Sequence, residues 1–190
     1  MQLPWRKLAD WVVTIGVAIA FVLVFEAEIA KPYRIPSSSM EPTLHCAKPG
    51  AWCLGSLNDR VLVNRLAYDF ESPKRGQIVV FTTPQSASKC GAGDGGETFV
   101  KRLIGLPGDT VTERNGFVSV DGKPLHDNYV DPAFRDHDSG TWRVPAGRYF
   151  FMGDDRIHSC DSRVWGSVPR HDLIGPVLLT YWPPDRISLH

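Results

Sequence analysis

The 190-residue chain predicts a mainly β fold. A coiled antiparallel β-sheet domain, residues 31–190, is expected behind a short stub and one transmembrane helix, residues 1–30. Three observations point there. An apolar run near the N-terminus approaches membrane length, β-branched runs bounded by turn residues recur after it, and no long amphipathic helical pattern competes with them.

From Trp11 to Phe25 the chain is apolar apart from Thr14, with Gly16 the only poor helix former. Together with Leu8 and Ala9 the segment nears the roughly 20 residues that cross a bilayer. Arg6 and Lys7 precede it and Glu26 and Glu28 follow. The positive-inside rule therefore places the N-terminus in the cytoplasm and everything after about Glu26 outside, in a single pass through the cell membrane. Trp5 and Trp11 suit the interfacial belt. A cleaved secretory signal also has a basic start and an apolar run, but Phe25 to Ala30 offers no clean small-x-small cleavage site.

Beyond the helix, Arg60–Asn64 and Gln77–Phe81 are β-branched runs bounded by Asn58-Asp59 and by Gly76. Asn115-Gly116 and Asp121-Gly122 are hairpin-type turns on either side of Phe117–Val120, and Gly147 leads into a strand over Arg148–Met152. Residues 86–97 and 131–140 lose the apolar alternation and read as surface loops within one domain. Lysine plus arginine (21) balance aspartate plus glutamate (21), so no global field argues for a nucleic-acid partner.

Four cysteines on the far side of a membrane are expected to pair, because that compartment permits disulfides. Three pairings are possible. Proline and glycine between Cys46 and Cys53 favour a turn that brings those two together, which leaves Cys90 with Cys160. The second bridge would staple a glycine-rich loop beside Ser159. Zinc fits poorly: paired CxxC or HxxxH spacings are absent and the six histidines are scattered.

The chemistry concentrates in Pro36-Ser37-Ser38-Ser39-Met40 and in Phe99-Val100-Lys101-Arg102. A serine hydroxyl is a poor nucleophile until a base takes its proton, and lysine serves as that base where burial keeps its amine neutral. An ordinary lysine is neutral at pH 7 only about once in 2500 molecules, and lowering its pKa by roughly two units raises that about a hundredfold. Phe99, Val100, Leu103 and Ile104, with the Phe150–Met152 strand, could wall the amine from water. The plainer reading makes Lys101 and Arg102 an exposed pair on an edge strand, where lysine discourages aggregation. Spacing alone does not choose among Ser37, Ser38 and Ser39.

Four blocks, IPSSSMEPTL, DRVLVNRLAYDFESPKRGQIVVF, FVKRLIGLPGD and FFMGDDRIHSCDSRVWG, follow one another along the chain. In combination and order they resemble the bacterial type I signal peptidases, membrane-anchored Ser/Lys proteases that remove signal peptides from exported proteins. The resemblance implies Ser39 as nucleophile and Lys101 as general base. It makes the backbone N–H of Ser39 and the hydroxyl of Ser37 the oxyanion donors, with Ser38 between them uninvolved. Ser159 would orient the lysine amine, supported by an Asp161–Arg163 ion pair.

The same resemblance implies cleavage after small residues of the Ala-x-Ala type, through an acyl-enzyme. Ile35, Met40, Leu44 and Val100 would line the first substrate pocket, and Tyr33, Ile35, Val80 and Val100 the second. It implies no metal and no organic cofactor. The expected partners are the signal peptides of exported preproteins, the lipid bilayer and the export translocon. Asp155 stands where the family usually has asparagine, Ile157-His158 replaces a commoner polar pair, and Gln77 replaces a usual aspartate. His158 also suggests a Ser/His reading with the histidine as base. Two further readings are a conjugation-type processing peptidase with one dedicated substrate, and a catalytically dead homologue that only binds signal peptides.

Overall fold

The computed structural model describes residues 5–90 and 95–190. The start of the expected cytoplasmic stub and the middle of the glycine-rich loop after Cys90 lie outside the described residues. So do the side chains of Arg6, Glu26 and Glu28, on which the expected orientation rests.

Helix α1 (Trp5–Glu28) runs for 24 residues, about 36 Å at the usual rise. Trp11, Val12, Val13, Val17, Phe21 and Leu23, which fall all round the helix, are each more than half exposed. Taken over the described residues, no helix is long and apolar enough to cross a membrane.

The rest is β structure. Its strands are β1 (Ala30–Arg34), β2 (Arg60–Asn64), β3 (Ile78–Thr82), β4 (Thr98–Gly105), β5 (Thr110–Arg114) and β6 (Phe117–Val120). They continue as β7 (Lys123–Pro124), β8 (Gly140–Arg143), β9 (Arg148–Met152), β10 (Val168–Pro169), β11 (Leu173–Trp182) and β12 (Ser188–Leu189). Two short helices, α2 (Ala67–Phe70) and α3 (Ser162–Trp165), sit in the connections.

One eight-stranded sheet has the order β1-β2-β11-β3-β4-β9-β10, with β12 also on β11. A four-stranded sheet has the order β7-β6-β5-β8. Every pairing within them is antiparallel. The long strand β11 joins the halves of the large sheet, its first residues pairing with β3 and its last with β2. Register shifts let it turn from one partner to the other, which is how bulges bend a strand.

Residues Ile78 to Phe81 of β3 are all buried because the sheet is covered on both faces. Val79 and Phe81 pack with Leu103, Phe151, Trp165 and Val168, while Ile78 and Val80 pack with Ile35, Met40, Leu44, Val61 and Val63. A third cluster, including Ile104, Val111, Val118, Phe150 and Met152, fastens the small sheet to the large one.

The two hairpin turns have the backbone their residues favour. Asn115-Gly116 and Asp121-Gly122 both take positive φ and close two-residue loops between paired strands, the twist-matched form of hairpin turn. Residues 131–140 are more than a surface loop, since Asp136 is buried and reaches the Arg163 guanidinium.

Candidate active site

Ser39 arrives at the site because its neighbours are anchored below it. A single 3-10 turn spans Ser38–Met40, and the following Met40 and Leu44 are completely buried among Ile35, Val61 and Val80. Glu41 N–H donates to Ser38 O (2.8 Å) and Leu44 N–H to Met40 O (2.8 Å). From the other side, the Asp155 N–H donates to Ser39 O (3.3 Å). The Ser39 segment is thus pinned by its own core residues and by the chain beyond β9.

Lys101 lies on β4, between β3 and β9 and opposite Val79, so it is a central-strand residue and not the edge-strand lysine of the plainer reading. It is 4% exposed. Its Nζ donates to the Ser39 hydroxyl and sits 5.4 Å from the centre of the Phe99 ring. Burial pushes its pKa down from 10.5 to about 8, against the upward pull of Asp161 and Asp154. At pH 7 that makes roughly one molecule in ten neutral. Ser37 Oγ lies 3.4 Å from Ser39 Oγ, on the same side of the turn as the amine's partner.

Three buried carboxylates surround the couple. Asp161 takes the Arg163 guanidinium in a two-point grip (2.9 Å and 2.9 Å) and accepts from the Gly153 N–H (3.0 Å). Burial alone would raise its pKa, but Arg163 holds the carboxyl below the usual range. Ser159 donates to Asp161 Oδ2 (2.7 Å). The hydroxyl expected to orient the amine is therefore engaged with the carboxylate beside it.

Asp154, fully buried, accepts from Arg102 Nε (2.8 Å), from its other guanidinium arm (2.5 Å) and from the Thr43 hydroxyl (2.5 Å). This ties the nucleophile segment, the lysine strand and the end of β9 into one knot. Asp155, also fully buried, faces His158 Nδ1 at 2.9 Å. The His158 ring stacks on Trp52, 4.2 Å between centres. The Ser39 hydroxyl has Lys101 and Ser37 as its described partners, and His158 is engaged elsewhere.

Sequence reasoning missed Glu113 and Asp136, which extend the Arg163 network. Glu113 is buried, and burial pushes its carboxyl up to about 7 although Arg163 pulls it down. A signal was available: in Thr110-Val111-Thr112-Glu113, strand alternation puts Glu113 on the buried side with Val111. At the Gln77 departure, the amide oxygen accepts from Lys74 N–H (2.9 Å) and Tyr68 OH (3.2 Å). An acceptor is kept without a charge.

A cleft beside the couple is lined by Tyr33, Ile35, Val80 and Val100 together with Ser37, Ser39 and Lys101. Met40 and Leu44 do not line it; they form its buried floor support. Arg34, Pro36, Glu97, Thr98 and Phe99 complete the lining. The cysteines are joined as Cys46–Cys53 and Cys90–Cys160, with Cα separations of 5.0 and 5.9 Å. Glu41 Oε1 accepts from Cys46 and Leu54 N–H (3.0 Å each), fastening the first loop under the nucleophile turn.

The fold is mainly β, and the comparisons supply the class, a serine endopeptidase. The chain belongs to the family described as signal peptidase, peptidase S26, which matches residues 8–182. A signal peptidase I of Leptolyngbya laminosa is 38% identical over 181 residues, 95% of this chain and 83% of that protein. A probable signal peptidase I-2 of Synechocystis sp. is 38% identical over 187 residues, 97% of this chain and 77% of that one. A crystal structure of a signal peptidase I from Enterococcus faecalis V583 is 30% identical and aligns with a TM-score of 0.46. It covers 56% of this chain and 97% of that one.

Gly153 lies at the crowded centre, where an added Cβ would collide with the Ser39 carbonyl oxygen and with Ser159 Oγ and Cβ. Gly153→Ala should therefore displace the serine from the lysine and lower kcat/KM by about a hundredfold, the usual effect of an ångström's misplacement. Peptide cleavage by the variant, compared at equal folded content, checks this.

Proposed function

We propose that the chain cleaves signal peptides from exported preproteins with Ser39 as nucleophile and Lys101 as its base. The single observation that supports this best is the buried Lys101 amine, its pKa lowered to about 8, on the Ser39 hydroxyl. In this reading the neutral amine takes the Ser39 proton as Oγ bonds to the scissile carbonyl carbon. The oxyanion so formed is stabilised by the Ser39 N–H and the Ser37 hydroxyl. Lys101 returns the proton to the departing amine of the mature chain, leaving an acyl-serine. Water, deprotonated by the same lysine, then releases the signal peptide.

In this reading cleavage comes after small residues: Val80, Val100, Ile35 and Tyr33 line the cleft next to Ser39 and would reject larger groups by steric overlap. An extended substrate would run beside β4 and gain main-chain hydrogen bonds that do not depend on its sequence. Helix α1 serves as the single membrane anchor, its N-terminus cytoplasmic, which its exposed apolar surface supports.

Ser39→Ala and Lys101→Ala should each abolish cleavage of an Ala-x-Ala peptide while leaving the protein folded. Ser37→Ala should cost about a hundred- to a thousandfold, the loss of one oxyanion donor. A Lys101→Ala enzyme that cleaved normally would overturn the assignment. In a pH–rate profile, kcat/KM should climb as pH rises through about 8 and then level, since the neutral amine is the active form. An optimum on the acid side would contradict a lysine base. Alkaline carbonate should leave the full-length chain with the membrane pellet, and protease applied from the extracytoplasmic side should degrade the β domain.

A further inference from the structure

The charged groups facing Lys101 are Asp161, Asp154, Arg163 and Asp155. Each of the three carboxylates has a polar partner of its own. Asp161 is held by Arg163 and Asp154 by Arg102, guanidinium partners that keep their charge throughout the working pH range. The third, Asp155, meets the backbone N–H and ring Nδ1 of His158 and no guanidinium.

Asp155 also touches the nucleophile directly. Its backbone N–H donates to Ser39 O (3.3 Å). Its carboxylate accepts from the His158 N–H (3.0 Å) and faces the ring Nδ1 with both oxygens (3.0 and 2.9 Å). The ring is seated from the other side by Trp52, 4.2 Å away and 16° from parallel. Trp52 belongs to the loop closed by the Cys46–Cys53 bridge, and that uncharged indole is the only other group described as packing on the ring. A fully buried carboxylate at residue 155, where the resemblance expects a neutral asparagine, adds a negative charge to the lysine's surroundings and calls for a counter-charge.

We propose that Asp155 and His158 are a positioning pair for the Ser39–Lys101 couple: Asp155 fixes the serine backbone and contributes a buried charge, and His158, seated by Trp52, donates hydrogen bonds to that carboxylate. This inference rests on Lys101 being the base. The sign follows from electrostatics. A negative Asp155 favours the protonated amine, so removing it makes the free base available at lower pH; removing the His158 ring takes away a hydrogen-bond donor that draws on the carboxylate's charge and has the opposite effect.

The test is a set of kcat/KM–pH profiles on the full-length enzyme in detergent micelles, with an Ala-x-Ala peptide as substrate. Asp155→Asn should move the rising limb to lower pH by roughly half a unit, less than a carboxylate in direct contact would give. His158→Ala should move it to higher pH. The double variant should follow Asp155→Asn, because without the carboxylate there is nothing to offset. His158 is partly exposed, so its variant is usable even where Asp155→Asn folds poorly. Limbs that coincide with the parent in both single variants, or that move in the same direction, overturn the pair. Lys101→Ala, run alongside, separates the two ideas: an inactive Lys101→Ala with unmoved limbs defeats only the Asp155–His158 role, whereas an active one defeats the lysine base itself.

Discussion

An amine cannot be taken out of water at no cost, and the rest of the site is built around that constraint. A lysine in a central strand, shielded by Phe99 and by the strands on both sides, loses much of its hydration. Desolvation weakens the charged form and leaves a lone pair for chemistry. Too apolar a setting would expel the amine or destabilise the strand. Asp161 and Asp154 counter part of the burial penalty, and their arginines keep those carboxylates from becoming orphan charges themselves. The amine is balanced between solvent-like and oil-like surroundings by charge pairs that are nearly all buried.

That balance explains why two sheets are needed. The large sheet carries Lys101 and Arg102, while Glu113 comes from β5 of the small sheet and Asp136 from the loop before β8. Both grip the Arg163 that holds Asp161. The cluster of Ile104, Val111, Phe150 and Met152 that joins the sheets is therefore more than general core. It sets the distance at which the Glu113 carboxylate of the small sheet meets the Arg163 guanidinium on α3. Arg102 serves both layers, since it also lies over the Tyr129 ring, 3.9 Å from its centre.

Much of this was legible where local rules act alone. Arg60–Asn64, Phe117–Val120 and Arg148–Met152 are strands with the bounds that alternation and turn residues set, and both hairpin turns sit at their Asn-Gly and Asp-Gly pairs. Strand β11 was not legible. Gly175-Pro176 in its middle reads as a break, yet tertiary pairing carries the strand through it by register shifts, and Asn64 crowds Gly175 so closely that no side chain would fit. The serine and lysine were marked by their motifs. Of their polar surroundings, Ser159, Asp161 and Arg163 were marked by the same motifs, but Thr43, Glu113, Asp136 and Asp154 were not, because they reach the network only in space. Met40 and Leu44 illustrate the converse. They are close in sequence to the nucleophile, but a residue one or five places along a tight turn points into the core and not at the cleft.

The Cys90–Cys160 bridge closes a covalent ring that contains β4, the whole small sheet and β9, and so holds Lys101, Ser159 and Gly153. Ser39 lies outside that ring, on an arm bearing its own small ring at Cys46–Cys53. Main chain and non-covalent contacts join the two, among them the Lys101–Ser39, Asp155–Ser39 and Thr43–Asp154 hydrogen bonds and the Trp52–His158 stack. The topology makes the molecule a cage that keeps Lys101 and a docked limb that carries Ser39, so the covalent bridges constrain the lysine's surroundings while the serine's place depends on how well the limb is docked.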